Sequence, residues 1–355
     1  TGKAAINWNS FSVGSNATVK FNQPDASSVT LNRVQSANPS QIYGNIQANG
    51  QIYLVNPSGI YFAPGANVNV GGIVATTQQM SDADFMSGKS TFSGSGGTVV
   101  NDGTIMAGLG GYIALLAPEV RNNGVLIARQ GTVALAAGDS VTLNFGIGSR
   151  LDSVTVTPSQ LKSLVENKNA VMAPGGLVIL SARAVNAIAG SVINSGTADS
   201  SSVTAKGGRI VLDGDNVVIA GSLSANGTSG GEISISGKNI VADTTSMLKA
   251  DAGSNGQGGK ISVIANTADP ASSLKFDGVA SAKGGVSGGD GGFVETSASK
   301  VKVGAAAVVD TSAKSGKSGQ WLVDPHDFTI AASGGDITGD TLSSNLAKGS
   351  VTIMS

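Results

Sequence analysis

Few side chains in this sequence are suited to catalysis or to metal binding. Cysteine is absent and His326 is the only histidine, so a Ser/His/Asp triad or a histidine metal site would depend on one residue. His326 stands in Asp324-Pro325-His326-Asp327, where it could bind a metal or transfer a proton. A single histidine beside aspartates and a proline is more typical of a turn. We therefore predict no metal and no cofactor.

Two carboxylates stand two residues apart at Asp213 and Asp215, which places them on one face if the segment is a strand. Such a pair could act as acid and base in a hydrolase, or bind calcium in a polysaccharide lyase. The surrounding sequence contains neither a cluster of basic residues nor an aromatic residue that could stack on a sugar. We predict a solvated turn in a protein that is not an enzyme. A polysaccharide lyase or hydrolase is the alternative.

The composition excludes two further classes of protein. The 22 basic and 23 acidic residues give a net charge of −1, so the basic excess that a nucleic-acid-binding protein needs is missing. Apolar residues make up 40% of the sequence, which together with the low net charge argues against disorder. The sequence has no signal peptide at Thr1, and we expect that any export signal has been removed.

Apolar runs led by glycine recur from residue 96 onward. Each copy has a Gly or Gly-Gly, a short alternating apolar run and a polar corner. Counted from the glycine before each run, four of the intervals are 20 residues (Gly111 to Gly131), 23 (Gly208 to Gly231), 28 (Gly231 to Gly259) and 27 (Gly292 to Gly319). Copies begin at Gly110, Gly131, Gly175, Gly207, Gly230, Gly258, Gly291 and Gly319. A period of this length is typical of a solenoid.

The repeats predict an all-β protein that forms a parallel β-helix. Their apolar runs are short, rich in β-branched residues and alternate with period two, as strands with one buried face do. Asn and Gly tolerate a left-handed backbone, which we expect to let the chain turn sharply at Asn101, Asn122 and Asn194. A propeller blade would need about 40 residues and a Trp-Asp marker, which is missing.

Three segments interrupt the repeats. Residues 155–170 predict one short helix, with Thr157 as N-cap and Pro158 at the first helical position. The apolar residues at helical spacing in this segment are Leu161, Leu164 and Val165. Residues 76–95 predict a loop or strands outside the β-helix. Residues 331–355 are small and polar, and we expect them to fray. Trp8 and Trp321 are expected to plug the core near the ends.

The first 75 residues are less repetitive and carry several distinctive motifs. In chain order these are Ile6-Asn7-Trp8-Asn9-Ser10-Phe11, Phe21-Asn22-Gln23-Pro24, Ser28-Val29-Thr30-Leu31-Asn32-Arg33-Val34 and Leu54-Val55-Asn56-Pro57-Ser58-Gly59-Ile60. The series closely resembles the N-terminal secretion domain of filamentous-haemagglutinin-like exoproteins, the secreted partners in two-partner secretion. Gly291-Gly292-Phe293-Val294-Glu295-Thr296-Ser297 and Trp321-Leu322-Val323-Asp324-Pro325 are similar to the high-molecular-weight adhesin branch of that family.

The resemblance implies a right-handed parallel β-helix with strands outside the helix, exported unfolded through the periplasm. The partner that it implies is an outer-membrane β-barrel transporter, which recognises the secretion domain through periplasmic polypeptide-transport-associated (POTRA) domains. The implied function is a secretion module of a large secreted or cell-surface adhesin. The implied passenger could contact host cells, and we expect a monomer. A domain that itself binds host cells is a further alternative.

The resemblance also indicates candidate site residues. The Asn-Pro-Asn-Gly-Ile motif of the family falls on Asn56, Pro57, Ser58, Gly59 and Ile60, with serine in place of the middle asparagine. Pro and Gly at these positions predict a β-turn, which either nucleates the first coils or contacts the transporter.

A second family motif, Asn-Pro-Asn-Leu, would fall near Asn22, Gln23 and Pro24 and is not preserved, which favours the adhesin branch. We place the secretion domain, including an N-terminal cap, at residues 1–240. Residues 241–355 are assigned to a continuing β-helix that begins the passenger.

Overall fold

The structure is a computed structural model that describes residues 2–186 and 189–354. The chain divides into two compact units, Thr1–Ser191 and Val192–Ser355. In each unit, short parallel strands stack into three sheets, and successive strands of the chain pass from one sheet to the next. This arrangement is a parallel β-helix and confirms the predicted fold class. None of the helices in the described residues is long and apolar enough to cross a lipid bilayer.

Three parallel sheets form the first unit. The first sheet contains β1 (Lys3–Trp8), β3 (Val29–Val34), β6 (Gln51–Val55), β9 (Gly72–Thr76), β13 (Tyr112–Leu116), β16 (Thr132–Ala137) and β21 (Leu177–Ala182). The second contains β4 (Ser40–Ile42), β7 (Ile60–Phe62), β11 (Thr98–Asn101), β14 (Glu119–Asn122) and β19 (Ser163–Asn167). The third contains β2 (Thr18–Phe21), β5 (Asn45–Ala48), β8 (Asn67–Val70), β12 (Thr104–Ala107), β15 (Val125–Ala128) and β20 (Ala170–Met172).

The core of this unit is made of apolar side chains stacked on their equivalents in the next coil. In the first sheet, Ile73, Ile113, Val133 and Val178 lie directly opposite one another in register and are all fully buried. Because the pairing is parallel and in register, each inward position of one coil covers the same position of its neighbour. The alternating runs read from the sequence are therefore the strands that line the core.

Glycines allow the coils to approach one another where the third sheet passes to the first. A Cβ atom placed on Gly111, Gly131 or Gly176 would overlap the carbonyl oxygen of the glycine one coil earlier, which is Gly71, Gly111 and Gly131 respectively. At these three positions, the glycine directly before the apolar run is thus required by the close approach of two backbones.

Asparagines form a buried ladder where the second sheet passes to the third. Asn101 Nδ2 donates to Asn122 Oδ1, and Asn122 Nδ2 donates to Asn167 Oδ1, both at 2.8 Å. All three side chains are fully buried. The corners were predicted correctly, but the left-handed backbone expected for their asparagines was wrong. Among the described residues only Gln130 and Ser149 combine a side chain with a positive φ. Asparagine is used here because its amide both donates and accepts.

Elements outside the β-helix cover the outer face of the first sheet. They are α1 (Asp82–Ser87) and an antiparallel sheet of β10 (Thr91–Ser93), β17 (Ser140–Phe145) and β18 (Leu151–Thr157). Phe85 and Phe92 pack on Tyr53 with ring centroids 5.9 Å away in each case. Strand β10 lies within residues 76–95 and confirms the prediction of strand structure outside the β-helix for that segment. The helix was missed, although Ser81 caps its start and Gly88 ends it.

The helix predicted for residues 155–170 is wrong. Thr157 ends β18, and Ser163–Asn167 is β19, which pairs in parallel with β14. The three apolar residues at helical spacing do not share a face, because Val165 is fully buried, Leu164 points outward and Leu161 is 75% exposed. Parallel pairing with an existing strand outweighs the helical spacing of three residues.

Three parallel sheets also form the second unit. The first contains β24 (Arg209–Gly214), β27 (Glu232–Gly237), β30 (Lys260–Ala265), β33 (Phe293–Ser297), β36 (Gln320–Asp324) and β37 (Ser350–Ile353). The second contains β22 (Gly190–Asn194), β25 (Asn216–Ile219), β28 (Asn239–Ala242), β31 (Ser273–Phe276) and β34 (Lys300–Val303). The third contains β23 (Thr197–Asp199), β26 (Ser222–Ser224), β29 (Met247–Lys249), β32 (Val279–Ser281) and β35 (Val308–Asp310).

The last coil of this unit is ordered rather than frayed. Helix α2 (Gly339–Leu346) is N-capped by Thr338, whose side chain accepts from the Thr341 N–H, and β37 follows it. The expectation of fraying over residues 331–355 is therefore wrong for these elements. Trp321 is buried as expected, and its Nε1 donates to Thr296 Oγ1 at 3.0 Å.

The other tryptophan behaves differently. Trp8 is half-exposed on β1, where its ring meets the edge of Phe11 at 5.5 Å between centroids. Phe11 is the buried ring of this pair, and it also stacks on Phe21 at 6.5 Å. Three aromatic residues therefore cap the first coil together.

The glycine stacking can be tested with one substitution and a matched control. We expect Gly131→Ala to lower the free energy of unfolding by more than about 2 kcal/mol, because its Cβ would overlap the Gly111 carbonyl oxygen. Gly108→Ala should change it by less than about 0.5 kcal/mol, because the nearest atom to its Cβ would lie 3.6 Å away. Urea unfolding of both variants measures the difference. Equal effects would contradict the close-approach explanation.

Candidate functional site

The first candidate motif is the turn between β6 and β7. The Gly59 N–H donates to the Asn56 carbonyl oxygen at 3.0 Å, which closes a β-turn, and the Ser58 N–H donates to Asn56 Oδ1 at 2.9 Å. Gly59 has a φ of +125°, which a residue with a side chain rarely adopts. The turn predicted from Pro57 and Gly59 is therefore present.

Asn56 joins three successive coils through hydrogen bonds. Its N–H donates to the Thr76 carbonyl oxygen of the next coil at 2.9 Å. Its Nδ2 donates to the Asn38 carbonyl oxygen and to Ser40 Oγ of the previous coil, both at 3.0 Å. The residue is fully buried. In the folded protein the Asn56 side chain is thus inaccessible to another protein.

The rest of the motif is divided between the core and the surface. Ile60 is buried in the second sheet, between Ser40 on one side and Val99 on the other. Pro57 and Ser58 are half-exposed and form the outward part of the corner.

One unrecognised sequence signal for the supporting coil is a repeated tripeptide. Asn-Pro-Ser occurs twice, at Asn38-Pro39-Ser40 and at Asn56-Pro57-Ser58. The two tripeptides lie at the same corner of neighbouring coils, offset by two residues in register, and Asn56 Nδ2 joins the second to the first.

The second candidate motif lies at the corner between β2 and β3. Gln23 Nε2 donates to the Gln51 carbonyl oxygen at 2.8 Å and to the Ser28 carbonyl oxygen at 3.0 Å. Gln23 Oε1 accepts from the Gly50 N–H at 3.0 Å. The backbone of Gln23 is also bonded in both directions to the side chain of Asn49, each at 2.7 Å. Gln23 thus fastens the first complete corner to the next coil.

The neighbours of Gln23 face the solvent. Asn22, Pro24 and Asp25 are exposed. Hydrogen bonds from the Ser27 hydroxyl, the Ser28 hydroxyl and the Ser27 N–H lower the pKa of the Asp25 carboxyl below its usual value. The loop that follows Pro24 is therefore organised around an ionised aspartate.

The two candidate motifs do not form a single site. Gln23 is bonded to Gln51, where β6 begins, and Asn56 follows Val55, where β6 ends. A strand of this length separates them by about 16 Å. They lie at different corners and in different coils, and each is bonded to a neighbouring coil.

The residues considered for catalysis are not arranged as a reactive pair. β24 ends at Gly214, so Asp213 lies on the strand and Asp215 on the corner. Asp213 Oδ1 accepts from Ser236 Oγ at 2.6 Å, and the Asp215 carbonyl oxygen accepts from the Lys238 and Asn239 N–H groups. Asp215 is buried. A structural corner follows β24, but the predicted solvated turn is wrong in part, because Asp213 lies on the strand and Asp215 is buried.

His326 lies exposed in a bend after β36. Its N–H donates to the Ser299 carbonyl oxygen at 3.2 Å. Across residues 2–186 and 189–354, no group of three or more His, Asp or Glu side chains is placed to hold a metal ion.

Comparison with known proteins gives one family match and two relatives. A family model described as TPS secretion domain matches residues 1–235. A heme/hemopexin-binding protein of Haemophilus influenzae strain Rd is 33% identical over 222 residues, which is 60% of this chain and 24% of that protein. A second heme/hemopexin-binding protein of Haemophilus influenzae is 47% identical over 78 residues, or 22% of this chain and 8% of that protein. The chain therefore spans about a quarter or less of the length of these relatives.

A solved structure shares the fold. The crystal structure of the HMW1 secretion domain from Haemophilus influenzae matches with a TM-score of 0.78 and 24% identity, and the match covers 92% of this chain and 91% of that one. The family match covers more than half of the sequence and includes both candidate corners. The chain therefore belongs to the two-partner secretion (TPS) domain family, whose members direct an exoprotein across the outer membrane through a partner transporter.

Proposed function

We propose that the Asn56–Ile60 corner serves secretion by nucleating the first coils of the domain, rather than by contacting the transporter in the folded state. The observation that carries this proposal is the complete burial of Asn56, with hydrogen bonds to the previous and the next coil. A residue that joins three coils is well placed to align them when folding begins.

The order of folding follows from the coil architecture. A single coil cannot bury its apolar face alone, so the chain stays extended until a few coils have formed, and these coils then act as a template for the next. In this proposal the POTRA domains of the transporter engage the extended chain in the periplasm, before Asn56 is buried. Folding of successive coils outside the outer membrane then favours movement in one direction without a nucleotide.

The remaining parts of the proposal concern the longer protein. We place the product at the bacterial cell surface or in the medium, and assign any contact with host cells to a passenger rather than to this domain. We also propose that the secretion domain ends at residue 240, that the passenger begins at residue 241, and that the protein is a monomer.

The family is one of secretion domains and not of enzymes. We extend this to the chain itself and propose that it has no catalytic activity. The bonding of Asp213 to Ser236 and the burial of Asp215 at a corner support this proposal over a lyase or hydrolase.

Replacement of Asn56 distinguishes nucleation from direct recognition. Asn56→Ala leaves Asn38, Ser40 and Ser58 without their partner, which we expect to cost about 1–3 kcal/mol and to slow refolding. Secretion through the co-expressed transporter should fall in the same variant. Refolding is measured by stopped-flow fluorescence and secretion by the amount of chain in the medium.

A matched control lies two residues further on. Ser58→Asn restores the family motif at a half-exposed position, and we expect it to change neither refolding nor secretion. If Asn56→Ala refolds at the normal rate and is not secreted, the nucleation proposal is wrong and direct recognition is correct.

The second corner gives an independent prediction. Gln23→Ala removes hydrogen bonds to Ser28, Gly50 and Gln51, and we expect it to lower the free energy of unfolding by about 1–3 kcal/mol. Asn22→Ala, at the exposed neighbouring position, should have almost no effect. Urea unfolding measures both variants. A larger loss for Asn22→Ala would show that Gln23 does not fasten this corner.

A further inference from the structure

A pocket lies between the outer face of the first sheet and the elements that cover this face in the first unit. Its volume is about 220 Å³. Residues of β1, β3 and β6 line it from the sheet, and residues of α1, of the segment after α1 and of the β17–β18 hairpin line it from outside. Since an apolar cavity of about 150 Å³ binds benzene, this pocket has room for one ring or a short aliphatic chain that carries a polar group.

Aromatic rings supply much of the apolar lining. Tyr53 is 5% exposed and packs against Phe85 with ring centroids 5.9 Å apart. Phe145 lines the pocket from the hairpin, and its ring meets Tyr112 at 5.1 Å between centroids. Val29 contributes an aliphatic side chain from β3. Rings in edge-to-face contact leave faces on which a further ring or an alkyl chain can pack.

Two polar side chains of the pocket have hydrogen-bond donors to spare. Gln51 Oε1 accepts from the Tyr112 hydroxyl at 2.7 Å, whereas Gln51 Nε2 bonds to no other residue in the part of the chain that the structure describes. Lys3 Nζ donates to the carbonyl oxygens of Phe85 and Met86 at 2.9 and 3.2 Å, which leaves one of its three protons for another acceptor. The pocket therefore suits a ligand that accepts hydrogen bonds.

The charged side chains that line the pocket are both lysines, Lys3 and Lys89. Lys89 Nζ lies 3.3 Å from Asp84 Oδ1, but these side chains are 72% and 40% exposed, so water screens the pair and it holds Lys89 only weakly. Lys3 is half-buried and is bonded to carbonyl oxygens rather than to a carboxylate. An anionic group in the pocket would therefore meet a positive charge that no carboxylate neutralises at Lys3.

We propose that this pocket binds a small carboxylic acid in its ionised form, with an aromatic ring or a short aliphatic chain as its body. The body packs among Tyr53, Phe85 and Phe145. The carboxylate is attracted by Lys3 and accepts a hydrogen bond from Gln51 Nε2. Because the lining comes from separate segments of the chain, a bound acid also stabilises the packing of the covering elements on the first sheet.

Phenylacetate and its neutral analogue phenylacetamide test the proposal in the unaltered chain. We expect phenylacetate to bind with a Kd of about 1 mM or tighter in isothermal titration calorimetry, and phenylacetamide to bind at least about tenfold more weakly. Phenylacetate should shift the amide signals of Tyr53, Ser90 and Phe145 in proton–nitrogen correlation spectra. Equal affinities, shifts confined to other residues, or no saturation at about 20 mM would overturn the proposal.

Inorganic phosphate separates the contribution of the rings from that of the charge. Phosphate carries negative charge but has no apolar body, so we expect it not to displace phenylacetate at equal concentration. Displacement would show that the pocket recognises any anion, and the proposed place of the body among the rings would be wrong.

Replacement of Lys3 tests its role. Lys3→Met keeps an unbranched side chain and removes the charge, so we expect it to weaken phenylacetate binding by at least about tenfold and to abolish the preference over phenylacetamide. Lys20→Met removes a charge from an exposed position of β2 outside the pocket and should bind like the unaltered chain. Unchanged phenylacetate binding by Lys3→Met would refute the role of Lys3. If that variant does not fold, the comparison of the two ligands on the unaltered chain still decides.

Discussion

The close stacking of parallel strands is the constraint on which the rest of this protein depends. Neighbouring strands in a sheet lie about 4.8 Å apart, so corresponding positions of two coils must be compatible at every step. Where backbone rests on backbone, as at Gly111 and Gly131, only glycine has room. Where polar groups are enclosed, as at Asn101 and Asn122, each side chain must find its partner in the next coil. The repetition in the sequence is the consequence of this constraint.

The same constraint explains the hydrogen bonds of the two candidate motifs. Asn56 and Gln23 stand at corners, where the chain leaves one sheet for another and a coil has no regular pairing of its own. The side chains of Asn56 and Gln23 make hydrogen bonds to the neighbouring coil that regular strand pairing does not provide at a corner. A secretion domain that folds coil by coil has its largest entropic cost at the start, when there is no template. Residues that join several early coils reduce that cost where it is highest.

An exposed coil or strand edge also needs to be covered, and the two units do this by different means. The first coil is covered by the rings of Trp8, Phe11 and Phe21. The last strand of the third sheet is covered by an amide on a short helix. The aromatic cap excludes water from the core, whereas the amide satisfies backbone groups at a strand edge.

The fold class, the strands of the repeated coils and the turn at Asn56–Ile60 could all be predicted, because local alternation and turn residues specify them. The helix expected at Thr157 failed for a physical reason. The helical spacing of Leu161, Leu164 and Val165 is a local feature of the sequence. It does not reveal that β14 presents a free edge with which Ser163–Asn167 pairs. The residues after 331 show no recognisable pattern in the sequence, because the role of Asn345 is to bond to Val309 of β35, which lies 36 residues earlier in the chain.

By itself, then, the sequence determined the repeating unit, because inward and outward residues alternate within a few positions of one another. Only the tertiary structure decided which polar side chain closes which corner. Asn56, for example, bonds to Asn38 of the previous coil, and Asn345 bonds to Val309 of β35. Such pairings arise from the register between coils, which local sequence does not encode.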